Sequence, residues 1–211
     1  SISKNKILTE GIQNINLTDI LYAKTLGYKI KLLSISEIIK KKLMERVHPC
    51  LILKNSYIAK IDGVLNAVVV DGLPIGKSVL QGEGAGPGPT SSALISDLCS
   101  VLKGEINYPF GVSTRNRKKI AKFNILNHLC SSYLRIEVKD QPGVLSTITK
   151  SFAENKISIK NLIQKPDKKN KRASIIIITH ENLEKNFNNL ISHLAKNKFV
   201  LKKPTFIRIE K

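Results

Sequence analysis

Tyr133-Leu134-Arg135-Ile136-Glu137-Val138-Lys139-Asp140-Gln141-Pro142-Gly143-Val144-Leu145 is the stretch from which the fold of this 211-residue chain is read. From Tyr133 to Val138 polar and apolar residues alternate, the period of a strand with one buried face. Asp140, Pro142 and Gly143 break that period. Pro142 suits a position just inside a helix start, and Gly143 lets the backbone come close to another group. From Val144 to Glu154 the spacing is helical, with Val144, Ile148, Phe152 and Ala153 able to share a face. Further along, Ile157 to Gln164 reads as a strand, Lys165 to Lys171 as a charged turn and Ala173 to Thr179 as a β-branched strand. Leu183 to Asn197 reads as a helix and Val200 to Ile209 as the last strand. The order is β-α-β-β-α-β, the ferredoxin-like arrangement. Two helices then cover one face of an antiparallel sheet, and the other face or an edge is left to pair with a second copy.

Toward the amino terminus lies a polar stretch. Residues 104–131 hold Gly104, Pro109, Gly111 and the run Ser113-Thr114-Arg115-Asn116-Arg117-Lys118-Lys119, a turn-rich basic connector with room for a short helix over Ile120–Leu129. The expected division is therefore 1–103, a linker at 104–131, and 132–211. In the first segment a strand end at Thr9-Glu10-Gly11-Ile12 precedes a helix. Thr18 is the candidate N-cap, Asp19 suits the first turn, and Gly27 is the stop. Tyr28 to Leu33 and Met44 to Leu53 read as strands, Val64 to Asp71 as a more buried one ended by Gly72-Leu73-Pro74, and Lys77 to Gln81 as a short one.

That short strand leads into Gln81-Gly82-Glu83-Gly84-Ala85-Gly86-Pro87-Gly88-Pro89-Thr90, with a helix expected from about Thr90 to Leu102. The cluster is not the dinucleotide fingerprint G-x-G-x-x-G, because Pro87 stands where the last glycine is required. Glycines admit positive φ and close approach of a ligand, and the helix start offers unpaired N–H groups. Thr90, Ser91 and Ser92 can cap it. Physics alone leaves two readings open, a ligand-contacting loop and a tight structural turn.

The order of several short matches decides between them. Glu10-Gly11-Ile12, Asp19, Ala23-Lys24 and Leu26-Gly27-Tyr28-Lys29-Ile30-Lys31-Leu32-Leu33 resemble homoserine dehydrogenase. So do Val47-His48-Pro49, Asp62-Gly63-Val64-Leu65-Asn66-Ala67-Val68, and Gly84-Ala85-Gly86-x-x-Pro89-Thr90-x-Ser92-Ala93-x-x-x-Asp97-Leu98. The resemblance runs in the family's order over nearly all of residues 7–103. It implies the second half of a mixed-sheet substrate-binding and dimerisation domain. It implies an oxidoreductase that interconverts L-homoserine and aspartate 4-semialdehyde with NAD or NADP, in threonine, methionine and isoleucine biosynthesis. The family's nucleotide-binding domain and its catalytic lysine and acidic residues lie upstream of the matched part. No catalytic residue is assigned here, and the chain by itself is expected to be inactive, since hydride transfer needs a bound nicotinamide beside a proton-handling group. The cofactor contacts carried over are Gly86, with Ala85 and Gly84 beside it. Pro87 departs from the pattern, as it has no N–H to donate. The helix after the loop packs in the family on the nucleotide domain, so Ala93, Leu94, Leu98 and Leu102 are expected to be exposed or repacked.

Asp140-Gln141-Pro142-Gly143-Val144-Leu145, with Phe152-Ala153-Glu154-Asn155-Lys156-Ile157-Ser158-Ile159, resembles an ACT domain. The whole is then α+β, a partial mixed-sheet domain followed by a ferredoxin-like ACT domain. Asp140 can cap the helix or face a ligand's ammonium group, and the helix start can hold a carboxylate. The resemblance implies an amino-acid effector, with threonine favoured as the pathway's end product, at Asp140, Gly143 and Val144. From a partner's second strand, Ser158, Asn161 and Gln164 are candidates, Asn161 foremost. It also implies a homo-oligomer, a dimer or a tetramer through ACT pairing. Alternatives are an ACT unit that only dimerises, and a stand-alone sensing module without catalysis.

Composition narrows the rest. The net charge is +19, of which residues 104–211 carry +14. With aromatic residues at 5%, no Trp and no zinc-finger spacing, the excess reads as solvated lysine and not as a nucleic-acid surface. No apolar run approaches the roughly 18 residues of a membrane span. Ser1-Ile2-Ser3-Lys4 shows no signal peptide and reads as a start in mid-protein, hence the expectation of a cytoplasmic protein. Cys50, Cys99 and Cys130 read as free thiols with no metal assigned. His48, Asp97 and Glu10 read as structural residues, and His128, His180 and His193 as surface ones.

Overall fold

The computed structural model describes residues 7–105, 111–116, 119–167 and 169–210. The chain divides in space into two compact units, and not at the expected linker. One joins Ser1–Lys54 to Ala121–Lys211, and the other is Asn55–Ile120.

The first unit is an eight-stranded mixed sheet with three α-helices, α1 (Leu17–Thr25), α3 (Val144–Glu154) and α4 (Glu184–Ala195). Its strands are β1 (Leu8–Thr9), β2 (Tyr28–Ile39), β3 (Lys42–Leu53), β6 (Leu129–Lys139), β7 (Ile159–Asp167), β8 (Arg172–Thr179), β9 (Asn182–Leu183) and β10 (Thr205–Glu210). The main path is β1-β3-β10-β6-β8-β7, with β2 on β3 and β9 on β6. Within it β10-β6-β8-β7 with α3 and α4 is the expected ferredoxin-like unit. Its last strand does not end the sheet, however. Arg208, Ile209 and Glu210 pair in parallel with Cys50, Leu51 and Ile52 of β3. Residues 7–54 and 121–210 therefore share one sheet, which is why the boundary expected at 104–131 is not the boundary in space.

Both faces of that sheet are covered. On one, Leu134, Ile136, Ile175 and Ile177 pack with Val144, Ile148 and Phe152 of α3 and Phe187, Leu190 and Leu194 of α4. On the other, Tyr133, Ile176, Ile178 and Ile207 meet Leu51 and Ala23 of α1. This explains the unbroken run Ile175-Ile176-Ile177-Ile178, since a strand buried on both faces has no polar alternation. The face expected to be free is thus covered by the chain's own α1, and β3 extends the sheet on the β10 side, which leaves the edge at β7. Ala153, expected on the buried face of α3, is exposed.

Local chemistry accounts for several ends. Asn16, and not Thr18, is the N-cap of α1, in a capping box with Asp19: Asp19 N–H donates to Asn16 Oδ1 at 3.2 Å and Asn16 N–H to Asp19 Oδ2 at 2.9 Å. Gly27, at φ +82°, stops the helix as expected. β2 and β3 form one twelve-pair hairpin turned by Lys40 and Lys41, both at positive φ. The short helix expected at 120–129 is a single 3₁₀ turn, Ile125–Asn127.

The second unit holds the hairpin of β4 (Leu65–Gly72) and β5 (Gly76–Glu83) and the helix α2 (Pro87–Leu102). No residue of α2 is buried. Leu94, Ile95, Leu98, Val101 and Leu102 stand exposed, as expected for Leu94, Leu98 and Leu102. Among the described residues no helix is long and apolar enough to cross a membrane.

Candidate functional sites

The glycine loop joins β5 to α2. Gly86 is the N-cap at φ +117° and ψ 160°, a conformation essentially confined to glycine. Gly84 is needed for another reason. Its N–H donates to Val64 O at 2.9 Å, and a Cβ there would fall 1.6 Å from Asn66 Nδ2. All three of Gly84, Ala85 and Gly86 are exposed. Pro87 and Pro89 remove two of the first three helix amides, so Gly88 alone of that turn can donate. The expected side-chain caps do not form: Thr90 Oγ1 and Ser91 Oγ donate backward to Gly86 O and Pro87 O, at 2.8 and 2.7 Å. The loop therefore offers close backbone approach more than a cradle of donors.

The second loop leads from β6 into α3. Gly143 is the N-cap in the left-handed region, φ +84°, and no side chain caps the helix. Asp140 is exposed and its amide donates to Lys171 O at 3.0 Å, leaving the carboxylate outside any cap. Val144 is buried at 3% in the helix-sheet core, so only its backbone can meet a ligand. Asn161 lies exposed on β7, beside Ile178, which is in turn beside Tyr133. Tyr133 lies seven residues before Asp140 on β6, roughly 20 Å away at a strand's rise per residue. Within one chain the two sets of residues do not meet. Ser158 and Gln164 are likewise exposed.

What sequence reasoning missed is a buried ionic network in the first unit. Arg135 Nε donates to Asp19 Oδ1 at 2.7 Å and its Nη2 to Asp19 Oδ2 at 3.1 Å and Thr205 Oγ1 at 2.8 Å. Glu137 takes its remaining Nη1. Tyr133 O–H donates to the same Asp19 oxygen at 2.9 Å. Arg208 holds Glu10 at 2.7 and 3.0 Å and also Glu184. Burial raises the Glu10 pKa, but the hydrogen bonds and charge of Arg208 outweigh it and leave the carboxyl below its ordinary value. Arg46 bonds Glu210 at 3.0 Å and Glu37 at 3.2 Å. Burial, then the charge of Arg208, lowers the His48 pKa, and burial pushes the Cys50 thiol up to about 12. Burial likewise lowers the pKa of His128, which is half-buried and not a surface residue. These partners are up to 198 residues apart, so no local signal announces them. Glu10, Arg135 and Arg208 also line an open cleft of about 950 Å³ between residues 10–16 and the α4–β10 connection. Asp97 lies exposed on α2, and His180 and His193 are exposed as expected.

A four-stranded sheet with two helices on one face and an uncapped proline-glycine turn before the first of them defines an ACT-domain protein, here one whose sheet is extended by a long hairpin. Residues 132–199 match the ACT domain, and residues 1–99 match the homoserine dehydrogenase family. The homoserine dehydrogenase of Helicobacter pylori is 36% identical over 205 residues, covering 97% of this chain and 48% of that protein. That of Neisseria gonorrhoeae is 35% identical, covering 95% and 48%. The crystal structure of a homoserine dehydrogenase from Thiobacillus denitrificans superposes with a TM-score of 0.83 at 34% identity, covering 98% of this chain and 48% of that one. The chain belongs to the homoserine dehydrogenase family and spans about half the length of the relatives it matches.

Proposed function

We propose that this chain is the carboxyl-terminal portion of a cytoplasmic homoserine dehydrogenase, an enzyme that interconverts L-homoserine and L-aspartate 4-semialdehyde with NAD or NADP. The observation that carries the reading is the unbroken match: one alignment to named homoserine dehydrogenases runs through the glycine loop and the ACT domain alike. In it Gly84, Ala85 and Gly86 bring backbone against the nicotinamide end of the cofactor. Gly86 has the conformation such an approach needs, and with Pro87 and Pro89 donating nothing, contact falls to Cα and carbonyl groups and to the Gly88 amide. When bound, the cofactor supplies hydride transfer. The proton-handling groups come from the other half of the enzyme, so the 211 residues alone turn over nothing. The exposed apolar residues of α2 are covered in the assembled enzyme by its nucleotide domain.

The ACT domain senses an amino acid, with threonine the favoured effector. Asp140 meets its ammonium group and the uncapped amides of α3 its carboxylate. Because Asn161 lies far from that loop within one chain, the complete site forms between two copies, which makes the enzyme a dimer, or a tetramer where ACT domains also pair. The test is an assay of the complete enzyme for homoserine-dependent nicotinamide reduction, with and without L-threonine, beside a calorimetric titration of this chain with L-threonine. Turnover by the complete enzyme only, and saturable threonine-selective binding, support the reading. No turnover with homoserine by a folded complete enzyme would overturn the catalytic part, and selective binding of a different amino acid the effector assignment.

A further inference from the structure

The sequence holds His-x-Cys twice, as His48-Pro49-Cys50 and His128-Leu129-Cys130, and the function above uses neither. On extended backbone, positions i and i+2 point to one face, so each motif sets an imidazole beside a thiol. The fold brings a glutamate to each: Glu210 of β10 to the first and Glu184 of α4 to the second, with the three ligand atoms of each group within 4.8 Å of one another. His48 and Cys50 have no exposed surface at all.

The His48 ring is the informative one. Its Nδ1 lies 3.0 Å from Pro49 O, which can only accept, and 3.2 Å from Cys50 Sγ, so the proton is assigned to Nδ1 and the lone pair to Nε2. Nε2 is buried without a hydrogen-bond partner among the described residues and faces Glu210 Oε1 at 3.8 Å. Glu210 Oε1 also accepts from Arg46 Nε and Nη2, at 3.3 and 3.1 Å, so the unmet group is the buried lone pair of Nε2, and leaving it unmet costs free energy. The charges agree. The two guanidinium groups of this network, Arg46 and Arg208, are bonded by four carboxylates, Glu37, Glu210, Glu10 and Glu184. That leaves two negative charges in excess among these groups, three once the Cys50 thiol is ionised, so the site attracts a divalent cation. Imidazole, thiolate and carboxylate are zinc donors, and tetrahedral bonds of roughly 2.0–2.3 Å place ligand atoms about 3.3–3.8 Å apart. A backbone carbonyl on the other ring nitrogen is the support a metal-bound imidazole needs.

We propose that His48, Cys50 and Glu210 bind a zinc-class divalent cation that clips β3 to β10. Binding displaces the Cys50 thiol proton to solvent, and a water fills the fourth position. The second trio is the internal comparison: there the Cys130 thiol donates to Glu184 at 3.5 Å and His128 is only half-buried, whereas the Cys50 thiol lies within its own motif, donating to His48 O at 3.4 Å.

The experiment is a cobalt titration of chelator-stripped protein in a Cys99→Ser background, which removes the exposed thiol of α2. The expected result is one cobalt per chain with a thiolate-to-cobalt charge-transfer band, bleached by zinc, and a higher thermal midpoint with zinc. Cys50→Ser abolishes the band, Cys130→Ser keeps it, and His48→Gln weakens cobalt binding at least about tenfold. A folded background protein with no such band overturns the proposal, as does a band that survives Cys50→Ser or is lost with Cys130→Ser alone. Should Cys50→Ser not fold, Cys50→Ala, which keeps an apolar group in place, answers the same question, and the Cys130→Ser spectrum decides independently.

Discussion

Asp19→Asn tests whether the ionic network holds the first unit together. Asp19 has no exposed surface, and its two oxygens take Arg135, Tyr133 and the Asn16 amide. The substitution is nearly isosteric; it removes the charge and sets an amide NH2 against donors that one carboxylate oxygen now satisfies. Arg135 stays 3% exposed, with Glu137 and Thr205 as its remaining partners. Breaking a buried pair by removing one charge typically costs 3–5 kcal/mol. Glu137, which remains on the guanidinium, places the expected loss near the lower end, about 3 kcal/mol. With a urea m-value of roughly 2 kcal/mol/M, the unfolding midpoint falls by about 1.5 M. The assay is urea unfolding followed by far-ultraviolet circular dichroism. Asp19→Leu with Arg135→Met removes both charges and should recover most of the loss, because an apolar pair of similar volume is often as stable as a buried ion pair. A fall below about 0.3 M urea for Asp19→Asn would refute the reasoning: the network would then be a bystander to the apolar contacts around Tyr133.

The other expectations follow from the same geometry. Glu10 has a folded-state pKa below its ordinary 4.5, so its contribution to stability is full above that value and is lost as the pH falls through the folded pKa. With Arg208, His48 and Lys203 as the charged groups acting on it, Glu10→Gln should lower stability at neutral pH and flatten the acid limb of the midpoint against pH; an unchanged limb would show that Arg208 does not hold this carboxylate. Gly86→Val should weaken cofactor binding in the complete enzyme, because φ +117° excludes a branched side chain; unaltered KM and kcat would make the loop a structural turn. Asp140→Ala and Asn161→Ala should each weaken threonine inhibition of the complete enzyme at least about tenfold while leaving uninhibited turnover intact, and full inhibition in both would misplace the sensor. Phe152→Ala, at a core position 1% exposed, should cost about 3–5 kcal/mol in urea unfolding; a cost below 1 kcal/mol would mean that α3 is not anchored through this ring.

What could be read in advance was what is written locally. The helix-strand alternation after Tyr133 has strong periodicity and a turn of proline and glycine, so all six elements of the ACT unit appear where expected, within a few residues at their ends. The last strand was the least exact, beginning at Thr205 and not Val200, because Lys202-Lys203-Pro204 interrupts it. The hairpin of β2 and β3 was harder. Its turn is Lys40-Lys41, without the asparagine or glycine that positive φ favours, so Ser34 to Leu43 gives no hairpin signal: the strand expected at Tyr28–Leu33 stops six residues short of β2's end, while that at Met44–Leu53 nearly matches β3. The two loops themselves, before α2 and before α3, were legible through their glycines and prolines. The ionic network was not, since each partner taken singly resembles an ordinary surface charge.

That network also explains why the sequence boundary and the spatial boundary differ. A linker at 104–131 is a statement about composition, and it lies between the stretches matched as homoserine dehydrogenase, 1–99, and as the ACT domain, 132–199. Space is divided by burial instead. β6 belongs to the ACT domain by sequence, yet its Tyr133 and Arg135 are satisfied by Asp19 of α1, and Arg208 of β10 by Glu10 beyond β1. Each of these charges is too buried to be left alone, so neither sequence segment presents a complete surface without the other. The strand that feeds the Asp140–Gly143 loop is therefore the strand that fixes the first turn of α1. A shift of β6 cannot leave α1 untouched without breaking the buried Arg135–Asp19 pair.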